Sequence, residues 1–235
     1  MRIFTDIKYP LGISLVALML HGCSESNPSS TPLSTYQFTV TNLTANQPIS
    51  PVAIVLHAAS YSGWNIGAAA STGLEKLAEG GDNSTFLSEA QTNASVSKTA
   101  SGKGVLAPGA SEVIAMTTSP STGLHVSIAG MLVNTNDAFA GLDGLFLGNM
   151  VVGSKQKFML QAYDAGTEAH TEAANTIPGP AGGGTGFDTM RDDKNNFVAI
   201  HSGVVTSSDG LATSALNETH RFDNPVMLVS IERIH

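Results

Sequence analysis

Apolar and polar residues alternate along much of the chain after residue 36, and this period of two predicts β-strands. The segment 36–40 alternates large apolar with polar side chains, which is typical of a half-buried strand. The segment 52–57 is almost continuously apolar, which indicates a strand buried in the core. Similar runs predict further strands at residues 111–117, 125–133, 144–147, 157–163, 197–205 and 225–234. Strands at this spacing, with turn clusters between them, predict an all-β fold, specifically an antiparallel β-sandwich.

One segment interrupts the strand pattern with the period of a helix. Residues 73–79 read GLEKLAE and are followed by Gly80 and Gly81, which predicts a short helix that ends there. Residues 85–90 extend the helical pattern by one or two turns. We therefore expect a short helical insertion that covers one end of the sandwich.

The first 22 residues have the pattern of an export signal. A charged region that contains Arg2 and Lys8 precedes an apolar run of 12 residues at 9–20. This run is too short to cross a hydrocarbon core of ~30 Å as a helix, and it suits the apolar part of a signal peptide. It is followed by Gly22 and Cys23, and residues 20–23 (LHGC) resemble a bacterial lipobox, with a histidine at the position where alanine or serine is usual.

The lipobox resemblance implies that residues 1–22 are removed and that Cys23 carries the lipid. Several acyl chains on one residue would anchor the protein stably, where a single chain binds only marginally. Residues 23–35 are polar and rich in Ser and Pro, which predicts a flexible tether before a domain at residues 36–235. Ser24 favours the outer membrane, so we expect an exported outer-membrane or cell-surface lipoprotein. The alternative is an ordinary secretory signal followed by a free or buried thiol.

Composition narrows the possible partners. Hydrophobic residues make up 42% of the chain and charged residues 13%, which indicates a globular domain. The net charge is −8 and basic residues form no run, so nucleic acid and bare anionic lipid are poor partners. The single cysteine excludes an internal disulfide and a cysteine-rich zinc cluster.

Two acidic segments begin where predicted strands end. The first is residues 134–144 and the second is residues 163–172. Loops at one end of a sandwich could bring Asp137, Asp164 and Glu168 together, and hard oxygen ligands of this kind suit calcium, which takes 6–8 oxygens at ~2.3–2.6 Å. The alternative is that these acids only begin turns, since Asp and Asn do so in many β proteins without binding an ion.

The chain resembles the spondin N-terminal domain family, which includes F-spondin, mindin and many bacterial proteins. The resemblance covers roughly residues 36–234, and the segments TNDAF and YDAGTE are the more specific part of it when taken together. The segments that carry it are residues 41–51, 73–82, 106–111, 131–144, 163–172 and 177–180.

This resemblance implies a sandwich similar to C2 domains and one bound calcium ion. Animal members bind calcium through an aspartate of the first motif and two acids four residues apart in the second. Those positions match Asp137, Asp164 and Glu168 here, with glutamate where animal members have aspartate. Ala138 occupies the position of an aromatic residue that follows the first aspartate in animal members.

Catalytic motifs are missing from the sequence. It contains no G-x-S-x-G and no H-E-x-x-H, and the run Gly182–Gly186 has no lysine after it. Asp164 and Glu168 on one turn could not flank a sugar from both sides, as a glycosidase pair must. We therefore expect no enzyme.

Three functions follow from these observations. The first is a calcium-binding module for binding or adhesion, anchored by lipid to the cell envelope, with a protein or glycan ligand at the cell surface. The second is a metal-dependent hydrolase, in which His170 would join the acids around an activated water. The third is a structural envelope protein whose acidic loops bind nothing.

Overall fold

The computed structural model describes residues 1–3, 33–119 and 123–235. The predicted signal sequence beyond residue 3, Cys23 and the tether up to residue 32 lie outside the described residues.

Nine strands and two short helices make up the described fold. The helices are α1 (Thr72–Gly80) and α2 (Ser84–Thr92), and single turns of 3₁₀-helix lie at Ser207–Asp209 and Glu218–His220. The strands are β1 (Ser34–Asn42), β2 (Ala53–His57), β3 (Val96–Ser101), β4 (Ser111–Thr118), β5 (His125–Met131), β6 (Ala138–Phe146), β7 (Lys155–Asp164), β8 (Ala199–Ile200) and β9 (Met227–Arg233).

All strand pairs are antiparallel, in the order β3-β2-β5-β6-β7-β9-β1-β4, with β8 added to β7. The first part of β7, Lys155–Leu160, pairs with β9, whereas its last residues, Gln161–Asp164, pair with β6. The backbone N–H of Lys103, just after β3, donates to Glu112 of β4 at 2.8 Å, so the two ends of the strand order meet. The predicted all-β, sandwich-like fold with a short helical insertion is confirmed.

Strand β2 is buried on both faces, which explains its almost unbroken apolar sequence. Because neighbouring side chains of a strand point to opposite faces, Ile54 and Leu56 enter the core between the sheet layers. Ala53 and Val55 pack on the other face with the cluster that includes the helical residues. The helical insertion therefore covers one face of the sheet beside β2 and β5.

Local sequence determines where α1 begins and ends. The Ser71 hydroxyl accepts a hydrogen bond from the backbone N–H of Leu74 at 3.1 Å, which caps the first turn. Gly81 adopts a left-handed conformation with φ 70°, and its N–H donates to the carbonyl of Leu77, which closes the last turn. The predicted end at Gly80 and Gly81 is confirmed, and the predicted extension at residues 85–90 is a separate helix.

Three strands differ from the pattern-based prediction. The predicted strand 144–147 is only the last part of β6, which begins at Ala138 within the first acidic segment. Strand β3 was not predicted, because it lies at the edge of the strand order and its sequence VSKTAS is mostly exposed or half-buried. The predicted strand 197–205 shortens to two residues, Ala199–Ile200. These pair with Tyr163 and Asp164 at the end of β7, beyond the part of β7 that pairs with β9. Neither helix in the described part of the chain is long and apolar enough to cross a membrane.

Candidate metal site

Strand pairing brings the two acidic segments to the same end of the sheet. Ala138, the first residue of β6, pairs with Asp164, the last residue of β7. Asp137 therefore lies just outside β6 and beside Asp164, and its carbonyl accepts a hydrogen bond from the N–H of Ala165 at 3.2 Å. The turn that follows Asp164 then folds back over Asp137.

Asp137 is fully buried, and its two carboxylate oxygens have different surroundings. Oδ2 accepts hydrogen bonds from the N–H of Thr167 at 2.8 Å, the N–H of Glu168 at 3.1 Å and the hydroxyl of Thr167 at 3.3 Å. Oδ1 accepts no hydrogen bond from any residue that the structure describes. A buried carboxylate oxygen without a hydrogen bond is costly unless a positive charge lies near it, and Nε2 of His170 lies 3.5 Å from this oxygen.

Asp164 has the same division between its two oxygens. Oδ1 accepts a hydrogen bond from the N–H of Gly166 at 2.7 Å, which holds the start of the turn. Oδ2 lies on the side of His170, and 14% of the side chain is exposed. Each aspartate thus directs one oxygen to its own turn and the other to a shared point.

The ring of His170 lies next to the point that the two aspartate oxygens share. Its Nε2 lies 3.5 Å from Oδ1 of Asp137 and 3.3 Å from Oδ2 of Asp164. The three atoms lie within 4.8 Å of one another, and 30% of the His170 side chain is exposed. Close contact with the carboxylates, Asp137 first and then Asp164, raises the pKa of His170 to about 10. In the absence of a metal, the imidazolium therefore balances the charge of the two aspartates.

His201 supports the ring of His170. The two rings stack with their centroids 4.8 Å apart, and His201 is buried. Burial lowers the pKa of His201 to about 4, so this ring is neutral near pH 7. Its Nδ1 accepts a hydrogen bond from the N–H of Gly203 at 3.0 Å, which fixes its orientation.

Glu168, the third predicted ligand, contacts Asp137 through its backbone N–H. Its N–H donates to Asp137, whereas its carboxylate accepts a hydrogen bond from Asn136 at 3.3 Å. Burial and the neighbouring carboxylate of Glu79 raise the pKa of Glu168 to about 8. The structure thus brings Asp137 and Asp164 together with His170, and directs the Glu168 carboxylate to Asn136.

From the sequence alone, His170 is a candidate only for the hydrolase, in which it would join the acids around a water. The available signal was its position in the second acidic segment, six residues after Asp164. The intervening residues are irregular, so no periodicity predicts where their side chains point. The role of Thr167, whose N–H and hydroxyl both bind Asp137, had no signal in the sequence.

The donor set can hold a divalent cation. Two carboxylate oxygens and one imidazole nitrogen lie within 4.8 Å of one another, and the Asp137 oxygen accepts no hydrogen bond within the described part of the chain. The two oxygens are of the type that calcium binds, and the nitrogen is of the type that zinc binds. The residues therefore fit a metal ion on chemical grounds.

An all-β sandwich with polar residues gathered in the loops at one end is an architecture shared by many binding modules. The family model of the spondin N-terminal domain (Spondin_N) matches residues 36–179, which is more than half of the chain. The chain belongs to the spondin N-terminal domain family, an extracellular and non-enzymatic module. A search of curated proteins found no match.

Proposed function

We propose that this protein is an exported binding or adhesion module whose loops 134–137 and 164–170 are joined by a divalent cation. Calcium is the first candidate, as the family resemblance implies. The observation that supports a cation is the fully buried Oδ1 of Asp137, which faces Asp164 and His170 and accepts no hydrogen bond from the described residues.

Charge explains why a cation belongs at this point. Two carboxylates lie close together, one of them completely buried, and their mutual repulsion disfavours the folded state unless positive charge intervenes. A divalent ion would neutralise both aspartates at once, and it would take over this role from the His170 imidazolium, which balances their charge when no metal is bound. Because it binds the folded state and not the unfolded chain, it would stabilise the domain by RT ln(1 + [ion]/Kd).

The cation would make one end of the sandwich rigid. The loop that begins after β7 wraps Asp137 through the backbone of Thr167 and Glu168, so an ion between Asp137 and Asp164 ties this loop to the start of β6. A rigid loop end costs less entropy when it binds a partner. We propose a protein or glycan at the cell surface as that partner, with the membrane reached through a lipid on Cys23.

Calcium titration tests the cation. The melting temperature should rise in millimolar calcium, and EDTA should reverse the rise. Asp164→Asn should abolish the rise because one of the two charged oxygens is lost. Asp82→Asn is the matched control, since Asp82 is exposed and, like Asp164, accepts a hydrogen bond from the backbone N–H two residues later, that of Ser84. An unchanged melting temperature with every ion tried would contradict the proposal.

One observation favours a second candidate, a metal-dependent hydrolase. His170 lies beside the two aspartates and is partly exposed. A residue that binds an ion or transfers a proton to a substrate needs such access. A panel of ester, phosphate and glycoside substrates, assayed with added metal, tests it. If the unchanged protein turns over a substrate and Asp164→Asn does not, the result would favour an enzyme over a binding module.

A further inference from the structure

His57, Ser127 and Asp143 form a polar network, the His57 network, toward the end of β6 that is remote from the candidate metal site. Nε2 of His57 lies 2.8 Å from the Ser127 hydroxyl oxygen, and this hydroxyl donates to Oδ1 of Asp143 at 2.5 Å. His57 and Ser127 are buried, whereas Asp143 is half-buried. The network therefore links β2, β5 and β6 through largely buried polar groups.

Asp143 also holds the loop 58–64, which follows β2. Its Oδ2 accepts a hydrogen bond from the Ser62 hydroxyl at 2.6 Å, and its Oδ1 accepts one from the N–H of Gly63 at 2.8 Å. The next residue, Trp64, is buried, and its ring packs edge-on against one aromatic ring of β6 and one of β7, with centroids 5.1 and 5.6 Å away. The position of Asp143 therefore affects how the loop and Trp64 lie on the sheet.

The acceptors around His57 determine how many hydrogens its ring carries. Nδ1 lies 2.8 Å from the carbonyl oxygen of Ala58, which can only accept, so Nδ1 carries a hydrogen. The Ser127 oxygen accepts from the N–H of Gly144 at 3.1 Å, and its single hydrogen goes to Asp143. Nε2 must therefore donate to Ser127 as well. A histidine that donates from both ring nitrogens is an imidazolium, so this geometry requires a protonated His57.

Release of this proton leaves the His57 network one hydrogen short. The Ser127 hydroxyl can then donate to His57 or to Asp143 but not to both, so one of the two contacts sets two acceptor atoms against each other. Either case displaces a group that touches the loop, because Asp143 binds the loop and His57 packs edge-on against Tyr61 at 4.9 Å between centroids. Loss of the proton should therefore loosen the loop.

The groups that surround His57 place proton release in mildly acid solution. Burial lowers the pKa of His57 below its ordinary value of 6.5, while a backbone carbonyl and Asp143 raise it and His125 of β5, stacked at 5.9 Å, lowers it further. From the loop, Tyr61 faces the ring, and burial raises the pKa of Tyr61 to about 12, so it stays neutral. The residue of β3 that pairs with His57 is apolar.

We propose that His57, Ser127 and Asp143 form a pH-sensitive latch, in which protonated His57 keeps the loop 58–64 closed on the sheet and its deprotonation loosens the loop. Histidine suits this role because its charge changes near neutral pH. The inference is independent of the proposed function, since the latch shares no residue with the candidate metal site. It gives the end of the sheet around Trp64 a response to the acidity of the surroundings.

Amide hydrogen exchange and NMR of the full chain at about pH 4.5 and about pH 8 test the latch. The protection factor of the Gly63 N–H, which corrects for the direct effect of pH on exchange, should be at least about tenfold higher at the lower pH, as the loss of one hydrogen bond to a charged group predicts. Nitrogen NMR should show hydrogens on both ring nitrogens of His57 at the lower pH and on Nδ1 alone at the higher pH. Acrylamide should quench Trp64, the only tryptophan of the chain, more strongly at the higher pH.

Two variants separate the latch from a general effect of pH. His57→Gln keeps an N–H that can donate to Ser127 at every pH, so Gly63 should stay protected at both pH values. His235→Gln changes an exposed histidine outside the network, and this matched control should respond to pH as the unchanged protein does. A His57 that is neutral at about pH 4.5, equal protection of Gly63 at both pH values in the unchanged protein, or a pH response that persists in His57→Gln would overturn the inference.

Discussion

Asp137 illustrates how one residue can serve structure and chemistry with different atoms. Its Oδ2 closes the turn at Thr167 and Glu168 through three hydrogen bonds, and its Oδ1 faces His170. Charge-assisted hydrogen bonds from backbone N–H groups are stronger than neutral ones. The turn is therefore built around a carboxylate that accepts three hydrogen bonds, and its other oxygen is of the type that a cation requires.

Glu79 is a second buried acid, on the side of α1 that faces this region. Its Oε2 accepts from the N–H of Asp188 at 2.9 Å, whereas its Oε1 has no hydrogen-bond partner among the described residues. Burial raises the pKa of Glu79 to about 7, with nearby carboxylates, Glu75 and Asp137 among them, adding to the shift. The folded protein thus holds a proton that the unfolded chain releases at lower pH.

This raised pKa predicts a pH-dependent stability. The contribution of protonated Glu79 is fully present below about pH 4.5, its unfolded pKa, and is lost as pH rises through about 7. Glu79→Gln keeps a neutral side chain at every pH, so it should raise the free energy of unfolding relative to the unchanged protein. This gain should be larger at pH 8 than at pH 5, by about 1–3 kcal/mol. Urea unfolding at the two pH values measures this difference, with Glu218→Gln, at an exposed position, as the matched control. A gain that is equal at both pH values would contradict the explanation.

At the scale of secondary-structure elements, the turn after β7 depends on glycine. Gly166 has a φ of 69°, which side chains rarely adopt, and a Cβ placed there would lie 2.4 Å from the carbonyl oxygen of Phe197. This turn supplies the N–H groups that bind Asp137 and Asp164. The requirement for glycine is therefore both conformational and steric.

Gly166→Ala should destabilise the domain by roughly 2–4 kcal/mol, because it adds a backbone collision to the strain of positive φ. It should also weaken cation binding, since the displaced turn carries the groups that orient both aspartates. Gly153→Ala is the matched control, because Gly153 has a φ of 82° but no atom lies within 4 Å of its added Cβ. The control should cost only about 1 kcal/mol and leave ion affinity unchanged. Urea unfolding and calorimetry distinguish the two, and equal losses would show that the contact with Phe197 has no effect.

At the scale of the whole molecule, β7 connects the two parts of the sheet. Its first residues pair with β9 and its last residues pair with β6, so the acidic loop leaves the sheet at the point where β7 has changed partner. The last strand, β9, lies between β1 and β7. The family model ends at residue 179, before β8 and β9, yet β9 completes the pairing of β1 and β7.

The predicted lipid anchor determines where the whole protein is expected to be located. If Cys23 carries several acyl chains, each buried CH₂ adds about 0.8 kcal/mol to membrane binding, so the protein should sediment with membranes and label with radioactive palmitate. Cys23→Ser should remove the label and release the protein to the soluble fraction. Ser26→Ala, in the tether, is the matched control and should remain in the membrane fraction. An unlabelled, soluble form of the unchanged protein would contradict lipidation.

The sequence by itself determined the features that depend on neighbouring residues. The alternation at residues 36–40 and the apolar run at 52–57 correspond to β1 and β2, and the helix end at Gly81 follows from a left-handed glycine. Asp137 and Asp164 were recognised because each follows an apolar strand, and strands that end together place their next residues together.

Only the tertiary structure decided which side chains meet at the site. The direction of the Glu168 carboxylate depends on Asn136, and that of the His170 ring depends on His201, both distant in sequence. Residues in irregular loops have no period that predicts their orientation, so contacts between distant segments determine it. For the same reason, the insertion of β9 between β1 and β7 could be found only in the folded sheet, because strand order depends on pairing across the whole chain.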